Sequence, residues 1–408
     1  MNLHNLIQII NKGKTKFEIE IYLVGGAVRD LLLGSSPTDL DFVFIDKNNN
    51  IQQFISDTFS PVNVEKSQFN TYKFHYQNYE IDFAMSRKEF YSEAAALPKI
   101  TKGDLNEDQI RRDFTINSFY INVENFSTEK LIEYSTAMKD LKNKEIKTLH
   151  EKSFQDDPTR IFRAIRYSKR LNFKINSGTI SEINSHLRNI SKLSGPRVKN
   201  EIYKIIKEKK AFEIIQKCES YNIFKLLNLP ITFPKEKPIW GEKKIRDFNQ
   251  LINEESSIDS KFVIFLATFL NEASSIEIKN ISSYWGIEKN IQKQWDELSK
   301  ANYELNMFDA DNGSNSKLNQ ILINCNLQIC ISLSQHLNPI LSKRIYEYWN
   351  TLKNLKPHLT SSELINMGIG EGPLLGKTIQ ELNNQVIDKK LKTKKDEIEF
   401  VKKFTNLD

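Results

Sequence analysis

The amino-acid sequence predicts an α+β protein, with a small mixed β-sheet in the N-terminal part and helices in the rest. Short runs rich in β-branched and aromatic residues interleave with helical segments over the first 150 residues. From Asp157 onward, apolar residues recur at helical spacing almost to the end of the sequence. The chain has 408 residues, which is enough for roughly two to four domains.

The elements of the N-terminal part follow in order from these patterns. They are a strand at 19–24, a helix at 27–33, a strand at 39–45 and a hairpin that pairs 72–76 with 79–84. Residues 86–108 are polar and contain Pro98 and Gly103, so we expect one long loop there. Loops of that length are uncommon in compact domains unless they serve a function. An apolar pattern resumes at 110–123.

The helical part is divided by proline and glycine. Pro230, Pro234 and Pro238 predict one boundary, and the glycine-rich residues 368–376 introduce a short C-terminal helical unit. We therefore expect four parts, at 1–150, 151–229, 230–355 and 356–408.

Composition excludes several classes of protein. Hydrophobic residues make up 39% and charged residues 27%, which excludes a collagen-like or wholly disordered chain. The longest apolar stretch, 261–270, is shorter than the about 20 residues that a membrane helix needs. The sequence shows no signal peptide, and its three cysteines and six histidines form neither a disulfide framework nor a zinc motif. We expect a cytoplasmic location, no membrane contact and no obligate protein partner.

The positive charge is concentrated in one segment. The net charge is +6, but residues 151–210 hold 15 Lys/Arg and 6 Asp/Glu, so this segment carries +9 and the rest −3. A concentrated basic surface is typical of proteins that bind phosphates. A solvated helical surface is an equally good explanation until motifs are considered.

The first motif lies at residues 23–30, where a strand enters a helix through Gly25 and Gly26. Such a turn lets backbone N–H groups approach phosphate oxygens at the helix N-terminus. Arg29, in the first turn of that helix, can reach the same phosphates. By itself the pattern is also typical of an ordinary tight turn.

Asp39 and Asp41 are the candidate metal ligands. Side chains alternate along a strand, so both carboxylates point the same way. Mg²⁺ is commonly held by one or two carboxylates together with substrate phosphates. Two such ions can clamp the attacking and leaving oxygens of an in-line displacement, and Asp82 could supply a third carboxylate. The alternative is a solvated strand end.

A second candidate site lies on the helix that begins near residue 157. Asp157, Arg160, Arg163 and Arg166 are spaced by three and climb one helix face. Asp157 can accept and Arg160 can donate hydrogen bonds, so the pair can address a base edge. Arg163 and Arg166 would then face phosphates or brace the pair. An Arg-rich helix held by surface ion pairs is the alternative.

These motifs resemble, in their order and spacing, those of the nucleotidyltransferase superfamily that includes class II (bacterial-type) tRNA CCA-adding enzymes and bacterial poly(A) polymerases. The resemblance rests on Gly-Gly-Ala-Val-Arg-Asp at 25–30, Asp-Leu-Asp at 39–41, Arg-Arg-Asp-Phe-Thr-Ile-Asn at 111–117, Asp-Asp-Pro-Thr-Arg at 156–160 and Ser-Gly-Pro-Arg at 194–197. It covers residues 20–210 well and residues 358–385 more loosely.

The resemblance implies a role for each site residue. Asp39 and Asp41, with Asp82, would be catalytic, and the first two would bind Mg²⁺, with two ions expected. The nucleotide would be bound by Gly25, Gly26, Arg29, Arg112, Asp113, Asn117, Asp157, Arg160, Arg163 and Arg166. Within this set, the 111–117 motif would contact the ribose, and Asp157 with Arg160 would accept C and A and reject G and U.

The resemblance also implies an activity and a partner. The four parts become a nucleotidyltransferase head (1–150), a basic, base-recognising neck (151–229), and a body (230–355) and a tail (356–408) that bind RNA. The expected reaction is template-independent addition or repair of the 3′-terminal CCA of tRNA from CTP and ATP, with release of pyrophosphate. The enzyme would hold the acceptor arm and 3′ end of tRNA. Tyr167 and Tyr203 are candidates for stacking on nucleic acid.

Several alternatives stay open at this stage. The chain could be the A-adding enzyme of a split CC/A pair or a poly(A) polymerase, since these share the head motifs. Residues 89–108 match the position of a flexible loop that CC-only variants lack, which argues against a CC-only enzyme. A non-catalytic RNA-binding relative is less favoured because Asp39 and Asp41 are intact. The chain departs from the family pattern around Glu133 and has Asp156 where the family usually has Glu.

Overall fold

The chain forms two compact units, Met1–Leu193 and Ser194–Asp408, in a computed structural model. The structure describes residues 1–67, 69–234, 248–255 and 257–405. Pro238, which contributes to the predicted boundary at 230, lies outside the described residues. The division into four parts stays a prediction.

The first unit is built on a six-stranded sheet in the order β3-β4-β5-β2-β1-β8. The strands of this sheet are β1 (Ile19–Val24), β2 (Asp39–Asp46), β3 (Glu65–Lys66), β4 (Thr71–Tyr76), β5 (Tyr79–Met85) and β8 (Tyr120–Asn122). Two further pairs lie outside it, namely β6 (Arg87–Phe90) with β7 (Lys99–Lys102), and β9 (Glu145–Ile146) with β10 (Lys174–Ile175). β2 and β5 are parallel, whereas the other pairs of the sheet are antiparallel. The sheet is therefore mixed, which confirms the predicted fold class.

Helices surround this sheet in the first unit. They are α1 (Leu3–Lys14), α2 (Gly26–Leu32), α3 (Ile51–Phe59), α4 (Leu105–Ile110), α5 (Ala137–Lys142), α6 (Ser153–Asp156), α7 (Thr159–Arg170) and α8 (Ser177–His186), with short 3₁₀ helices at Thr115–Asn117, Thr128–Lys130 and Leu187–Lys192. The predicted strands and the helix after Gly25-Gly26 are present within one or two residues of their expected bounds.

An aromatic core fixes which face of the sheet is buried. Phe42 of β2 stacks on Phe83 of β5 with ring centroids 5.0 Å apart, and Phe54 of α3 meets Phe83 edge-on at 5.9 Å. Because strand side chains alternate, burying Phe42 on α3 turns Asp39 and Asp41 to the opposite face. The packing of α3 thus decides where the acidic residues point.

Residues 86–108 do not form the single long loop that we expected from the sequence. β6 and β7 pair as an antiparallel hairpin, and α4 follows directly. The root of the hairpin is closed by the Gly103 N–H, which donates to the Ser86 carbonyl at 3.1 Å, and by the Ser86 hydroxyl, which donates to the Asp104 carbonyl at 3.0 Å. The prediction was wrong because β6 and β7 each contain one apolar residue, Phe90 and Ile100, so no apolar alternation marks them as strands.

The second unit is helical throughout its described residues, as predicted. Its helices are α9 (Gly195–Ile206), α10 (Ala211–Ser220), α11 (Ile223–Leu226), α12 (Phe248–Glu254), α13 (Ile258–Phe269), α14 (Ser275–Trp285), α15 (Lys289–Asn306), α16 (Asn315–Leu322), α17 (Leu327–Ser334), α18 (Pro339–Asn350), α19 (Ser361–Asn366), α20 (Pro373–Ile387) and α21 (Lys394–Thr405), with a 3₁₀ turn at Leu352–Asn354. Among the residues that the structure describes, no helix is long and apolar enough to cross a membrane.

Two buried clusters organise this unit. Near α13 the rings of Phe262, Phe265 and Trp285 pack together, with centroid distances of 6.0 and 5.9 Å. The C-terminal helices share a cluster of their own, made of Leu359, Leu364, Ile369, Leu382 and Val401. The apolar residues at helical spacing in the sequence are the ones that form these cores.

One glycine shows how closely α9 approaches α14. Gly195 begins α9 after the N-cap Ser194, and Pro196 occupies the first turn, as expected for a helix start. A β-carbon at residue 195 would lie 1.6 Å from the carbonyl oxygen of Tyr284. Only a residue without a side chain fits here.

We predict that Gly195→Ala destabilises the protein by about 1–3 kcal/mol, the usual cost of overpacking. Gly376→Ala is the matched control, because Gly376 lies within α20 and a β-carbon there meets nothing within 4 Å. It should be neutral or stabilising by up to about 1 kcal/mol. Urea unfolding of the two full-length variants measures the difference, and equal midpoints would contradict the close approach.

Candidate active site

The register of the sheet gathers four carboxylates on one face. β2 and β5 pair Asp41 with Asp82 and Asp39 with Glu80, and residues paired in this way share a face. Lys73 of β4 pairs with Asp82, and its Nζ lies 3.8 Å from Asp82 Oδ2 while it forms an ion pair with Glu80. The three acidic residues singled out in the sequence are therefore neighbours in space. We call this set of five residues the acidic face.

The pKa values of these carboxyl groups are raised above their ordinary range. For Asp39 the causes are burial and then the charge of Asp41. For Asp41 the cause is burial, which the charge of Arg112 offsets in part. For Asp82 burial raises the pKa to about 6, although Lys73 acts against it, and Asp41 and Asp39 add to it. Burial therefore disfavours the charged form of all three carboxyl groups, and neighbouring carboxylates add to this effect, which a bound cation would relieve.

The donor set of the acidic face fits a hard divalent cation. The Asp82 Oδ1 atom is buried and has no hydrogen-bond partner, so it is available as a ligand. Asp39 and Asp41 keep solvent-exposed surface, as ligands for an incoming group must, although surrounding protein atoms partly desolvate both carboxyl groups. Within the described ranges, no group of three or more acidic, His or Cys side chains is arranged to hold a metal ion by itself. Oxygen atoms from a substrate would have to complete the coordination, which is the usual mode of Mg²⁺.

The Gly25 turn places a cation beside the acidic face. Gly25 has φ of +69°, a conformation that favours glycine, and its N–H donates to the Phe119 carbonyl at 3.1 Å. A β-carbon on Gly25 would lie 2.9 Å from Arg112 Nη1 and 3.9 Å from Asp41 Oδ2. Because Gly25 has no side chain, the Arg112 guanidinium can occupy the space beside it. The expected role of Gly25 and Gly26 in binding phosphate stays a prediction.

Arg112 is held by residues that sequence reasoning missed. Its Nε donates to the Tyr120 hydroxyl at 2.7 Å, its Nη2 to Asp108 Oδ2 at 3.2 Å, and its Cζ lies 4.8 Å from the Tyr120 ring centroid. Burial acts to lower the pKa of Arg112, but Tyr120 and Asp108 raise it above its ordinary value. The helical i, i+4 spacing of Asp108 and Arg112 was the signal that could have revealed this pair.

Arg29 lies inside the unit, with 2% of its surface exposed. Its Nε and Nη2 donate to Asp30 Oδ1 at 2.8 and 2.7 Å, and its Nη1 donates to Asn117 Oδ1 at 2.6 Å. The guanidinium also lies 5.2 Å from the ring centroid of Tyr167. The structure thus shows Arg29 bracing α2, and the phosphate contact expected from the sequence stays a prediction.

Asp113 continues this arrangement toward α7. Its Oδ1 accepts from Asn117 Nδ2 at 2.9 Å and its Oδ2 from Arg163 Nε at 2.6 Å. Burial alone would raise its pKa, but the Arg163 charge and the Asn117 hydrogen bond lower the pKa of Asp113 to about 2. We call Arg29, Asn117, Asp113 and Arg163 the buried polar chain. It ties together three of the motifs that the sequence keeps far apart.

The candidate base-recognition residues lie at the start of α7. Asp157 Oδ1 accepts from the Thr159 N–H at 2.9 Å and from its hydroxyl at 2.6 Å. Arg160 donates from Nη1 to Ser153 Oγ at 2.9 Å and from Nη2 to the Arg111 carbonyl at 2.6 Å. Arg160 is therefore linked to the residue next to Arg112. The recognition of a base by Asp157 and Arg160 stays a prediction.

The expected stacking role of Tyr167 is wrong. Its ring is buried and is approached by the guanidinium groups of Arg29, Arg163 and Arg166, at 5.2, 5.4 and 4.8 Å from its centroid. The arginines spaced by three on α7 cover it, so no base can stack on this ring. Arg166, which is itself buried, here braces Tyr167.

We predict that Asp113→Asn destabilises the protein by about 2–3 kcal/mol at pH 7, given a pKa near 2 against about 3.9 in the unfolded chain. A carboxyl group whose pKa is lower in the folded than in the unfolded protein stabilises the fold when the pH is above its unfolded pKa. This contribution is lost as the pH falls toward the folded pKa near 2. The stability gap between wild type and variant, measured by urea unfolding, should therefore be constant above about pH 5 and should narrow below pH 4.

The control for this pH series is Asp140→Asn, a buried carboxylate that accepts from the Thr136 hydroxyl at 2.7 Å. Among the residues that the structure describes, Asp140 has no ion-pair partner. We therefore expect Asp140→Asn to lower the stability less than Asp113→Asn does. A gap for Asp113→Asn that stays unchanged down to pH 3 would show that its charge does not stabilise the fold.

Comparisons with known proteins match two parts of the chain to family models. Residues 21–147 match the family model of the poly A polymerase head domain, and residues 172–233 match that of the probable RNA and SrmB- binding site of polymerase A. The A-adding tRNA nucleotidyltransferase of Aquifex aeolicus is 28% identical over 382 residues, which are 91% of this chain and 45% of that protein. The chain thus spans less than half the length of this relative.

Two further proteins match nearly end to end. The A-adding tRNA nucleotidyltransferase of Halalkalibacterium halodurans is 24% identical over 98% of this chain and 92% of that protein. The solved structure of the Thermotoga maritima CCA-adding enzyme in complex with tRNA superimposes with a TM-score of 0.73 at 22% identity, over 99% of this chain and 95% of that one. The chain thus contains segments that match a poly A polymerase head domain and an RNA-binding domain, and it is similar over most of its length to tRNA nucleotidyltransferases.

Proposed function

We propose that this chain is a template-independent tRNA nucleotidyltransferase that adds or repairs the 3′-terminal CCA from CTP and ATP and releases pyrophosphate. The observation that carries the proposal is the acidic face, where Asp39, Asp41 and Asp82 lie beside the cation of Arg112 at the Gly25 turn. Carboxylates for a metal next to an arginine for a nucleotide are the components that nucleotidyl transfer requires.

The family generally uses a divalent metal ion, and we propose Mg²⁺, with two ions. Asp39 and Asp41 would hold them, with the buried Oδ1 of Asp82 as a third protein ligand. When bound, such ions polarise the attacking 3′-hydroxyl and neutralise the charge on the reacting phosphate and the leaving pyrophosphate.

The remaining residues of the head bind and orient the substrates. Gly25 and Gly26 let the triphosphate approach the backbone, and Arg112 contacts the sugar or a phosphate. Lys73 keeps Glu80 and Asp82 paired at the edge of the acidic face, which limits their repulsion of an incoming triphosphate. The buried polar chain holds α2 and α7 in place around the nucleotide.

Base choice is assigned to Asp157 and Arg160, which together offer an acceptor and a donor to a planar edge. In the structure Arg160 donates to Ser153 and to the Arg111 carbonyl. We propose that a bound base takes over one of these two contacts. Arg163 and Arg166 brace the pair from the next two turns of α7.

The tRNA would be held mainly through its phosphates and its shape, as expected for an A-form acceptor arm. The concentrated positive charge of residues 151–210 supports this. We propose that 151–229 act as the neck and that 230–355 and 356–408 act as the RNA-binding body and tail. Since tRNA is the proposed substrate, we also propose a cytoplasmic location.

A second candidate function is the addition of the terminal A alone. The relatives from Aquifex aeolicus and Halalkalibacterium halodurans are both named A-adding enzymes. The structural relative from Thermotoga maritima is named a CCA-adding enzyme, so the two candidates differ only in whether CTP is used.

The decisive experiment offers the protein three tRNA transcripts, which end before CCA, after C and after CC, with CTP or ATP. CCA addition requires CTP incorporation on the first two and ATP incorporation on the third. Incorporation of ATP on the CC end without any use of CTP would establish the A-adding function instead. Long A tracts on unrelated RNA would identify a poly(A) polymerase.

Asp41→Ala should abolish incorporation, because it removes a proposed metal ligand, while tRNA binding in a filter assay stays close to the wild-type level. The matched control is Asp46→Asn on the same strand, whose carboxylate accepts from the backbone N–H groups of Asn48 and Ile51 at 3.0 and 2.8 Å. It should retain incorporation. Activity retained by Asp41→Ala would refute the metal assignment.

Arg160→Ala should relax base choice before it abolishes chemistry. We expect the ratio of correct to incorrect nucleotide incorporation to fall by about tenfold or more, as for a lost bidentate contact worth about 1–3 kcal/mol. Lys169→Ala, near the end of the same helix, is the control and should keep the wild-type ratio. An equal loss of incorporation with all four nucleotides would argue against a role in base choice.

A further inference from the structure

Asp108 is a fully buried carboxylate that joins three parts of the head. Its Oδ1 accepts from Arg111 Nε and Nη2 at 2.8 and 2.7 Å and from the Arg87 N–H at the hairpin root at 3.2 Å. Its Oδ2 accepts from Arg112 Nη2 at 3.2 Å and from the Tyr120 hydroxyl. The first oxygen therefore anchors the hairpin and α4, whereas the second serves Arg112 and Tyr120.

Tyr120 completes the support of Arg112. It is fully buried on β8, and its hydroxyl lies between Asp108 Oδ2 and Arg112 Nε. Its ring lies beneath the guanidinium at 4.8 Å. These contacts use Nε and Nη2 of Arg112, and they leave Nη1 as the nitrogen that borders Gly25, where Asp41 Oδ2 also lies close by.

Support of this kind matters because two carboxylates compete for Arg112. Asp41 attracts the guanidinium from one side and Asp108 from the other. An arginine side chain free to move would pair with Asp41 and cover the acidic face. Holding it on Asp108 and Tyr120 keeps it beside Asp41 and also reduces the rotamer entropy that is lost when a nucleotide binds.

We propose that Asp108 and Tyr120 are positioning residues, which hold Arg112 so that Nη1 meets the bound nucleotide beside Asp41. The inference rests on the proposed function, since it assumes that Arg112 contacts the nucleotide. Neither Asp108 nor Tyr120 touches the substrate. Their effect is transmitted entirely through the orientation of one guanidinium group.

The geometry offers a variant that separates this role from general stability. Tyr120→Phe keeps the buried ring and removes only the hydroxyl, so the contacts of Asp108 Oδ1 with Arg111 and Arg87 remain. Tyr22→Phe is the matched control. Tyr22 is a buried tyrosine on the neighbouring strand β1, its ring lies 6.4 Å from that of Tyr120, and its hydroxyl also donates to a carboxylate, Glu20, at 2.8 Å.

The experiment measures KM and kcat for CTP and ATP on the transcripts described above, and nucleotide dissociation constants by calorimetry. Tyr120→Phe should raise KM and the dissociation constants about fivefold, as for one lost hydrogen bond, with kcat within about twofold of wild type. Asp108→Asn should raise them at least as much. Tyr22→Phe should leave all values unchanged.

A double variant tests whether the effect passes through Arg112. In an Arg112→Ala background, Tyr120→Phe should cause no further rise in the dissociation constants. A rise equal to that in the wild-type background, or no rise in either background, would overturn the inference. Because calorimetry does not require transfer, a wild type that binds nucleotides without adding them would refute the proposed function and would still test the inference. Absence of nucleotide binding by the wild type would overturn both.

Discussion

The rest of the head depends on the contacts that the ionised carboxylate of Asp113 makes with Arg163 and Asn117. It is buried, and a buried charge is tolerated only when it is paired and hydrogen-bonded. Arg163 and Asn117 meet that requirement, and Asn117 in turn accepts from Arg29. The hydrogen bonds and the ion pair that Asp113 requires therefore fix α7, the 3₁₀ helix at Thr115–Asn117 and α2 relative to one another. These three elements form a rigid structure around the acidic face.

The balance between carboxylates and cations also determines the properties of the acidic face. Asp39, Asp41 and Asp82 share a face, and their pKa values are raised first by burial and then by neighbouring carboxylates. Arg112 lies next to them but is tied back to Asp108 and Tyr120. The head thus keeps a group of carboxylates accessible, with one positive group fixed beside it.

Local patterns in the sequence correctly predicted the main strands, within one or two residues, and the common face of Asp39 and Asp41. The two-residue period of β2 placed Asp39 and Asp41 on one face, and the apolar residues at helical spacing became the cores of the second unit. The hairpin at β6 and β7 escaped detection because each strand has a single apolar residue, Phe90 or Ile100, which is too few to show an alternating pattern. The stacking role predicted for Tyr167 is wrong because Arg29, which is distant in the sequence, approaches the ring together with Arg163 and Arg166 of the same helix.

The sequence by itself determined the order of the motifs, the positions of the main strands and the common face of Asp39 and Asp41, since each follows from the repeat of a strand or a helix. Only the tertiary structure decided that Arg29 is buried on Asn117, 88 residues away, and that Asp113 pairs with Arg163, 50 residues away. It also decided that Tyr120 and Asp108 together hold Arg112. The physical reason is that these contacts depend on how separate elements pack, and no periodic pattern along the chain encodes the packing.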